Sequence, residues 1–190
     1  MSSDRKCIVV SAPSGAGKTT LVRYLLQQDL QLAFSVSATS RPPREYEKDG
    51  IHYHFLTQAE FEQAIRDGRF IEWEEVYEGK YYGTLRDSVE ATWTSGNHVI
   101  FDVDVIGGLN LKEQFGDRAL AIFIEAPSIE DLETRLHARG TENESMLRTR
   151  VEKAKLEMKR APEFDLRIVN DDLETACIEL ERVVKEFLGR

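Results

Sequence analysis

Cysteine is scarce in this chain: two residues in 190, Cys7 and Cys177. Each stands in an apolar stretch, and the two are far apart. Such a pair reads as buried thiols of a reducing compartment, not as a disulfide or half of a metal site. Long apolar runs are missing as well. None approaches the roughly 20 residues that a membrane-spanning helix needs, so no membrane partner is expected. Excess positive charge is missing too. Lys and Arg number 25 against 34 Asp and Glu, a net charge of −9. A nucleic-acid partner needs a basic face to neutralise phosphates, and this balance predicts none. Met1 to Lys6 are polar and lead into no leader-like apolar segment, so a secretory signal is not expected and the cytoplasm is the default. No repeat and no low-complexity tract appears, and Pro is limited to five residues.

What is present suits an ordinary globular chain with 41% hydrophobic residues. Short apolar runs alternate with amphipathic stretches. Cys7 to Val10, Phe34 to Val36, Val99 to Phe101, Leu120 to Ile124 and Leu166 to Val169 read as strands. A helix is expected from Gly17 to Leu26 and another from Asp172 to Leu188, whose Leu173, Ala176, Cys177, Leu180, Val184 and Phe187 recur at helical spacing. Thr57-Gln58-Ala59-Glu60 forms a capping-box pattern, with Gly68 as the stop, and Ser128 opens a helix that ends near Gly140. Continuous apolar strands separated by helices predict a five-stranded parallel sheet flanked by helices. Two segments break the rhythm. Residues 37–95 read as a small antiparallel insertion with helices, and 135–160, dense in charge, as a mobile helical lid. The core is then 1–36, 96–134 and 161–190.

The strongest motif is Ala12-Pro13-Ser14-Gly15-Ala16-Gly17-Lys18-Thr19-Thr20, after a buried strand and opening a helix. Backbone N–H groups at such a helix N-terminus can cradle phosphates. Lys18 can reach the β- and γ-phosphates, and the Thr19 hydroxyl can ligate Mg²⁺. Ala12 replaces the usual first Gly of the pattern, a position that shapes the entry turn. Arg41 and Arg44 are split by two prolines that prevent a helix, so both forks can converge on one phosphate. Tyr53 could add a third hydrogen bond, although a solvated basic loop also fits. Asp102 and Asp104 sit at the end of a predicted parallel strand, facing the ligand crevice, where one could serve Mg²⁺. Spacing alone gives no function to Phe70-Ile71-Glu72-Trp73 or to Tyr81-Tyr82-Gly83-Thr84. In the lid, Arg135 and Arg139 share a helix face. Arg148 and Arg150 cannot, so at most one of that pair points inward.

With these motifs, joined by Gly50-x-x-Tyr53-x-Phe55, Arg139-Gly140-Thr141-Glu142 and Val169-Asn170-Asp171-Asp172, the chain resembles the guanylate kinase family over essentially its whole length. The resemblance implies a P-loop nucleoside-monophosphate kinase, α/β, with a mixed α+β GMP-binding insertion and a helical lid. It implies transfer of the γ-phosphoryl group of ATP to GMP, and to dGMP, in purine nucleotide recycling, with Mg²⁺ accompanying ATP. Lys18, Arg139 and Arg150 would hold the transferring group. Arg41, Arg44, Tyr53 and Tyr82 would hold the GMP phosphate. Ser37, Glu72, Thr84 and Asp104 would read guanine, with Gly83 beside them. Arg135 would lie on the ATP side, Asn170 would approach adenine, and Asp102 would hold Mg²⁺ through water. Tyr46 and Ile106 depart from the family pattern, which usually has Gly and Gln there. Two other readings compete: a P-loop kinase acting on a ribosyl phosphate, and a guanylate-kinase-like module that binds a phosphorylated peptide. The oligomeric state is not readable from the sequence.

Overall fold

The computed structural model describes residues 5–138 and 144–190. In chain order it forms β1 (Cys7–Ser11), α1 (Lys18–Leu26), β2 (Leu32–Phe34), β3 (Ala38–Thr39), β4 (His54–Phe55), α2 (Gln58–Arg66), β5 (Phe70–Tyr77), β6 (Lys80–Leu85) and α3 (Arg86–Thr94). There follow β7 (His98–Val103), α4 (Val105–Phe115), β8 (Ala119–Glu125), α5 (Ile129–Ala138), α6 (Glu144–Met158), β9 (Leu166–Val169) and α7 (Leu173–Leu188).

Five strands make one parallel sheet in the order β2-β7-β1-β8-β9. β1 lies at its centre and is buried along its whole length. Alternation sends its side chains to opposite faces. Ile8 and Val10 pack with Leu21 and Leu25 of α1 and with Leu180 and Val184 of α7. Cys7 and Val9 pack on the other face with Val89 of α3, Leu111 of α4, Phe101 and Phe123. Sheet and helices are thus layered on both faces, as the apolar strand runs predict. Both cysteines are free and buried, and burial pushes the Cys7 thiol up to about 12. Among the described residues, no helix is long and apolar enough to cross a membrane.

The second strand differs from expectation. It runs Leu32–Phe34 and not Phe34 to Val36, because pairing with β7 sets Leu32 against His98 and Phe34 against Ile100. After Phe34 the Ser35 amide still donates to the Ile100 carbonyl, and the chain then leaves for a second sheet. That sheet has the order β4-β3-β6-β5. It is antiparallel at β5–β6 and β3–β6 but parallel at β3–β4, which corrects the purely antiparallel expectation. The long excursion from Ser40 to Tyr53 is the reason: it is no hairpin, so β4 returns beside β3 in the same direction. Within the apolar–polar run Ile51 to Phe55 only His54 and Phe55 become strand, while the Ile51 and His52 amides turn back onto the Lys48 carbonyl. α2 carries the predicted capping box: Thr57 accepts from the Glu60 amide, and Glu60 accepts from the Thr57 amide. α3 lies in the stretch assigned by sequence to the insertion, yet its Val89 and Trp93 join the core beneath β7.

Candidate active site

β1 ends in the middle of the parallel sheet, and the chain must turn sharply there to begin α1. Gly15 and Gly17 have φ of 97° and 96°, a left-handed conformation that glycine adopts without strain. Gly17 is the N-cap of α1 and supplies no side-chain cap. The first amides of α1 therefore have no capping acceptor, at the positive end of the helix dipole. Two side chains brace this loop. Asn170 Nδ2 donates to the Ala16 carbonyl at 2.8 Å. A Cβ at position 17 would come within 2.3 Å of that nitrogen. Arg135 in turn donates to the Asn170 carbonyl at 2.9 Å. Asn170 is thus buried beneath the loop, with one N–H of its side-chain amide engaged there. Lys18 Nζ donates to the Val103 carbonyl at 2.6 Å and pairs with Asp102 Oδ1 at 2.7 Å. Thr19 Oγ1 donates to Asp102 Oδ2 at 3.1 Å. One carboxylate thereby holds both side chains that the phosphate motif singles out.

The opposite wall comes from the second sheet. Glu72 and Glu74 are two apart on β5 and face the same way, across from Thr84 and Tyr82 on β6. Gly83 lies between those two. A Cβ there would stand 2.9 Å from the Glu72 carbonyl, the Phe70 ring and Trp73, so only glycine lets the strands close up. Glu72 is 8% exposed and accepts from Thr84 Oγ1 at 2.6 Å. Burial first, and the Asp104 carboxylate second, push the Glu72 carboxyl up to about 7, against the pull of the Thr84 hydrogen bonds. Asp104 lies just past β7, where it caps α4 by accepting from the Gly107 amide at 2.8 Å. The phosphate loop, Ser37, Tyr53, Glu72, Asp102 and Asp104 share one cleft of about 360 Å³.

Arg41 and Arg44 do approach one another, around a residue that spacing gave no reason to select. Glu47 accepts both prongs of the Arg41 guanidinium at 2.6 Å and the Arg44 amide at 2.7 Å. Arg41 holds the Glu47 carboxyl down to about 2. The Arg41 guanidinium lies 5.0 Å over the Tyr53 ring, which meets Tyr82 edge-on. Arg44 donates to the Tyr46 hydroxyl at 3.0 Å, which gives the departure at position 46 a partner. In the sequence Glu47 is one of three acids, with Glu45 and Asp49, in the stretch after Arg44, and only the folded turn singles it out. On α6, Arg150 lines the cleft and Arg148 is exposed. Arg139 lies outside the described residues.

Thr19 and Asp102 present hard oxygen ligands side by side at the phosphate loop, which suits Mg²⁺. Among the described residues no group of three or more His, Cys, Asp or Glu could hold a metal alone. An ion here would take most of its ligands from phosphate and water, as Mg²⁺ does.

Comparison with known proteins agrees with this arrangement. A family profile described as Guanylate kinase matches residues 4–187. The guanylate kinase of Bacteroides thetaiotaomicron is 54% identical over 97% of this chain and 91% of its own length. That of Porphyromonas gingivalis is 48% identical, covering 97% of this chain and 99% of that one. The crystal structure of guanylate kinase from Anaplasma phagocytophilum superposes with a TM-score of 0.80 at 27% identity, over 100% of this chain and 89% of that one. With a phosphate loop facing a buried carboxylate, and matched over nearly its whole length by this profile and these relatives, the chain belongs to the guanylate kinase family.

Proposed function

We propose that this chain transfers the γ-phosphoryl group of ATP to GMP, giving ADP and GDP, with dGMP as a second acceptor, in the cytoplasm. The observation that carries the reading is the buried Glu72 carboxylate, held by Thr84 and facing the cleft opposite the phosphate loop. Guanine presents two adjacent donors, N1–H and the 2-amino group, and an ionised carboxylate offers two acceptors and no donor. Adenine would set a lone pair against that carboxylate. Asp104, Ser37 and Thr84 complete the guanine edge. Arg41, Arg44, Tyr53 and Tyr82 take the GMP phosphate, and Arg41 then exchanges Glu47 for a phosphate oxygen or shares with it.

Phosphoryl transfer needs positioning and charge neutralisation more than covalent catalysis. The acceptor is an anionic phosphate oxygen, so no general base is required. Lys18 leaves Asp102 for the β- and γ-oxygens of ATP, the loop amides cradle those phosphates, and Arg150 and Arg139 approach the transferring group from the lid. Thr19, and Asp102 through water, would hold the Mg²⁺ that accompanies ATP, and that ion would supply further neutralisation of phosphate charge. Arg135 and Asn170 support the loop from below. Closure of the insertion (37–95) and the lid (135–160) over the core excludes water and so limits hydrolysis. A coupled ADP-release assay offering GMP, AMP and ribose bisphosphate is the test. Turnover with GMP at least about a hundredfold above AMP is expected, as a buried carboxylate left unpaired demands. Preference for the ribose bisphosphate, or no turnover at all, would reject the reading in favour of a ribosyl-phosphate kinase or a phosphopeptide-binding module.

A further inference from the structure

Three side chains of α6 line the cleft: Arg150, Lys153 and Glu157. Spacings of three and seven put them on one helix face. Lys153 reaches beyond its own helix. Its Nζ stands 5.1 Å from the centroid of the Tyr77 ring at the end of β5. The same nitrogen is 3.7 Å from Glu157 Oε1. An ammonium over an aromatic face is attracted by the ring quadrupole. Glu74, on the same strand, turns into the cleft with its Oε2 buried and lacking a hydrogen-bond partner.

The surroundings explain why a cation belongs there. Glu72 and Glu74 come from the second sheet, Asp104 from the start of α4, and Glu157 from α6. Asp104 raises the proton affinity of Glu72, Glu74 and Glu157 alike, after burial, and Lys153 lowers that of Glu74 and Glu157. Lys18 acts on Glu157 from the phosphate loop in the same sense. Four carboxyl groups from three parts of the fold thus converge on one cleft. Carboxylates so placed repel one another unless some keep their protons or a cation lies among them.

We propose that Lys153 is a positioning residue for phosphoryl transfer: it holds the lid helix α6 against strand β5, through the Tyr77 ring at the strand's end, and so delivers Arg150 to the cleft. The consequence for turnover rests on the phosphotransfer reading above, while the contact does not. Lys153→Met keeps the aliphatic stem and removes the charge. It should lower kcat by about tenfold, the scale of a misplaced positioning group, while the Kd for GMP measured without ATP stays within about twofold. Lys153→Arg, which keeps both charge and stacking, should recover most of the rate. The contact is read directly by pulsed electron spin resonance between labels at Lys80→Cys and Arg148→Cys, both exposed, in a protein whose own cysteines are buried. Without nucleotide, the protein with Lys153 intact should give one short distance, and Lys153→Met a longer, broader distribution. Coincident distributions, unchanged kcat in Lys153→Met, or no recovery in Lys153→Arg would each overturn the proposal. If the unaltered chain fails to phosphorylate GMP, the phosphotransfer reading falls, and the distance comparison still decides whether Lys153 holds the lid.

Discussion

Glu72 can accept from both guanine donors at once only when ionised, yet its burial works against ionisation. With its carboxyl pushed up to about 7 from 4.5, the empty site holds more protons folded than unfolded. By linkage this group makes the folded chain less stable as pH rises from about 4.5 through about 7. GMP reverses the balance, because two donors stabilise the carboxylate. Binding of GMP near pH 6.5 should therefore release a proton from this side chain. Calorimetry in buffers of different ionisation enthalpy measures that release, and Glu72→Gln subtracts the contribution of the nucleotide's own phosphate. Equal proton release in both proteins would mean that Glu72 does not change protonation when GMP binds. The same substitution sets a donor against one of the two guanine donors. It should reduce kcat/KM for GMP by about 1.5–3 kcal/mol, with a smaller loss for AMP; an unchanged ratio between the two nucleotides would make Glu72 a strand residue and nothing more. Lys18 is the residue where motif and geometry agree most closely: it meets Asp102 and the Val103 carbonyl and stands at the mouth of the loop. Lys18→Ala should lower kcat by roughly 10²-fold or more, with fold and GMP binding retained. Near-normal turnover in the folded variant would dismiss the phosphate-loop role.

Elements were legible in the sequence to the extent that their pattern is local. The phosphate loop was found because strand, glycines and helix start lie within a dozen consecutive positions. The capping box of α2 and the apolar stripe of α7 are local in the same way. The placement of β2 and the parallel β3–β4 pair were not legible, since both depend on partners distant in the chain. Glu47 and Lys153 escaped for the same reason: each is an ordinary charged residue until a turn or a helix face brings it to a partner. The lid is a case in which helical geometry does decide. Positions 148 and 150 diverge by about 200° around a helix axis, and only Arg150 of the two lines the cleft. Arg150→Ala should cripple turnover, whereas Arg148→Ala should change kcat by less than about threefold, as for a solvated surface charge. Steady-state rates of both variants check this, and a larger loss at Arg148 would place the wrong face of α6 over the phosphates.

At the scale of the whole molecule, the cleft proposed to take the substrates lies where three groups of elements meet, and none of the three encloses it alone. The phosphate loop and Asp102 belong to the parallel sheet and its helices. Glu72, Thr84, Arg41 and Tyr82 belong to the second sheet and its loops. Arg150 and Lys153 belong to α6. Each group has its own cluster of buried apolar residues: two clusters on the faces of the parallel sheet, one around Phe61 and Phe70, and one joining Leu132 and Leu136 of α5 to Val151 and Ala154 of α6. Units with separate cores can shift against one another without breaking close packing. Within the walls, the ion pairs Lys18–Asp102 and Arg41–Glu47 are polar and, on the proposed function, exchangeable for phosphate contacts. Binding both nucleotides should therefore draw the second sheet, with its loops and α2, and the lid helix α6 onto the core, while α3 stays with the core it already packs in. Hydrogen exchange measures the effect: with GMP and a non-hydrolysable ATP analogue together, amides of β5, β6 and α6 should gain protection, while those of β1 and β8, buried in the central sheet already, should change little. Either nucleotide alone should protect chiefly its own side of the cleft. Equal protection of both segments with and without nucleotides would show that the cleft is already closed, and that water is excluded by fixed walls and not by motion.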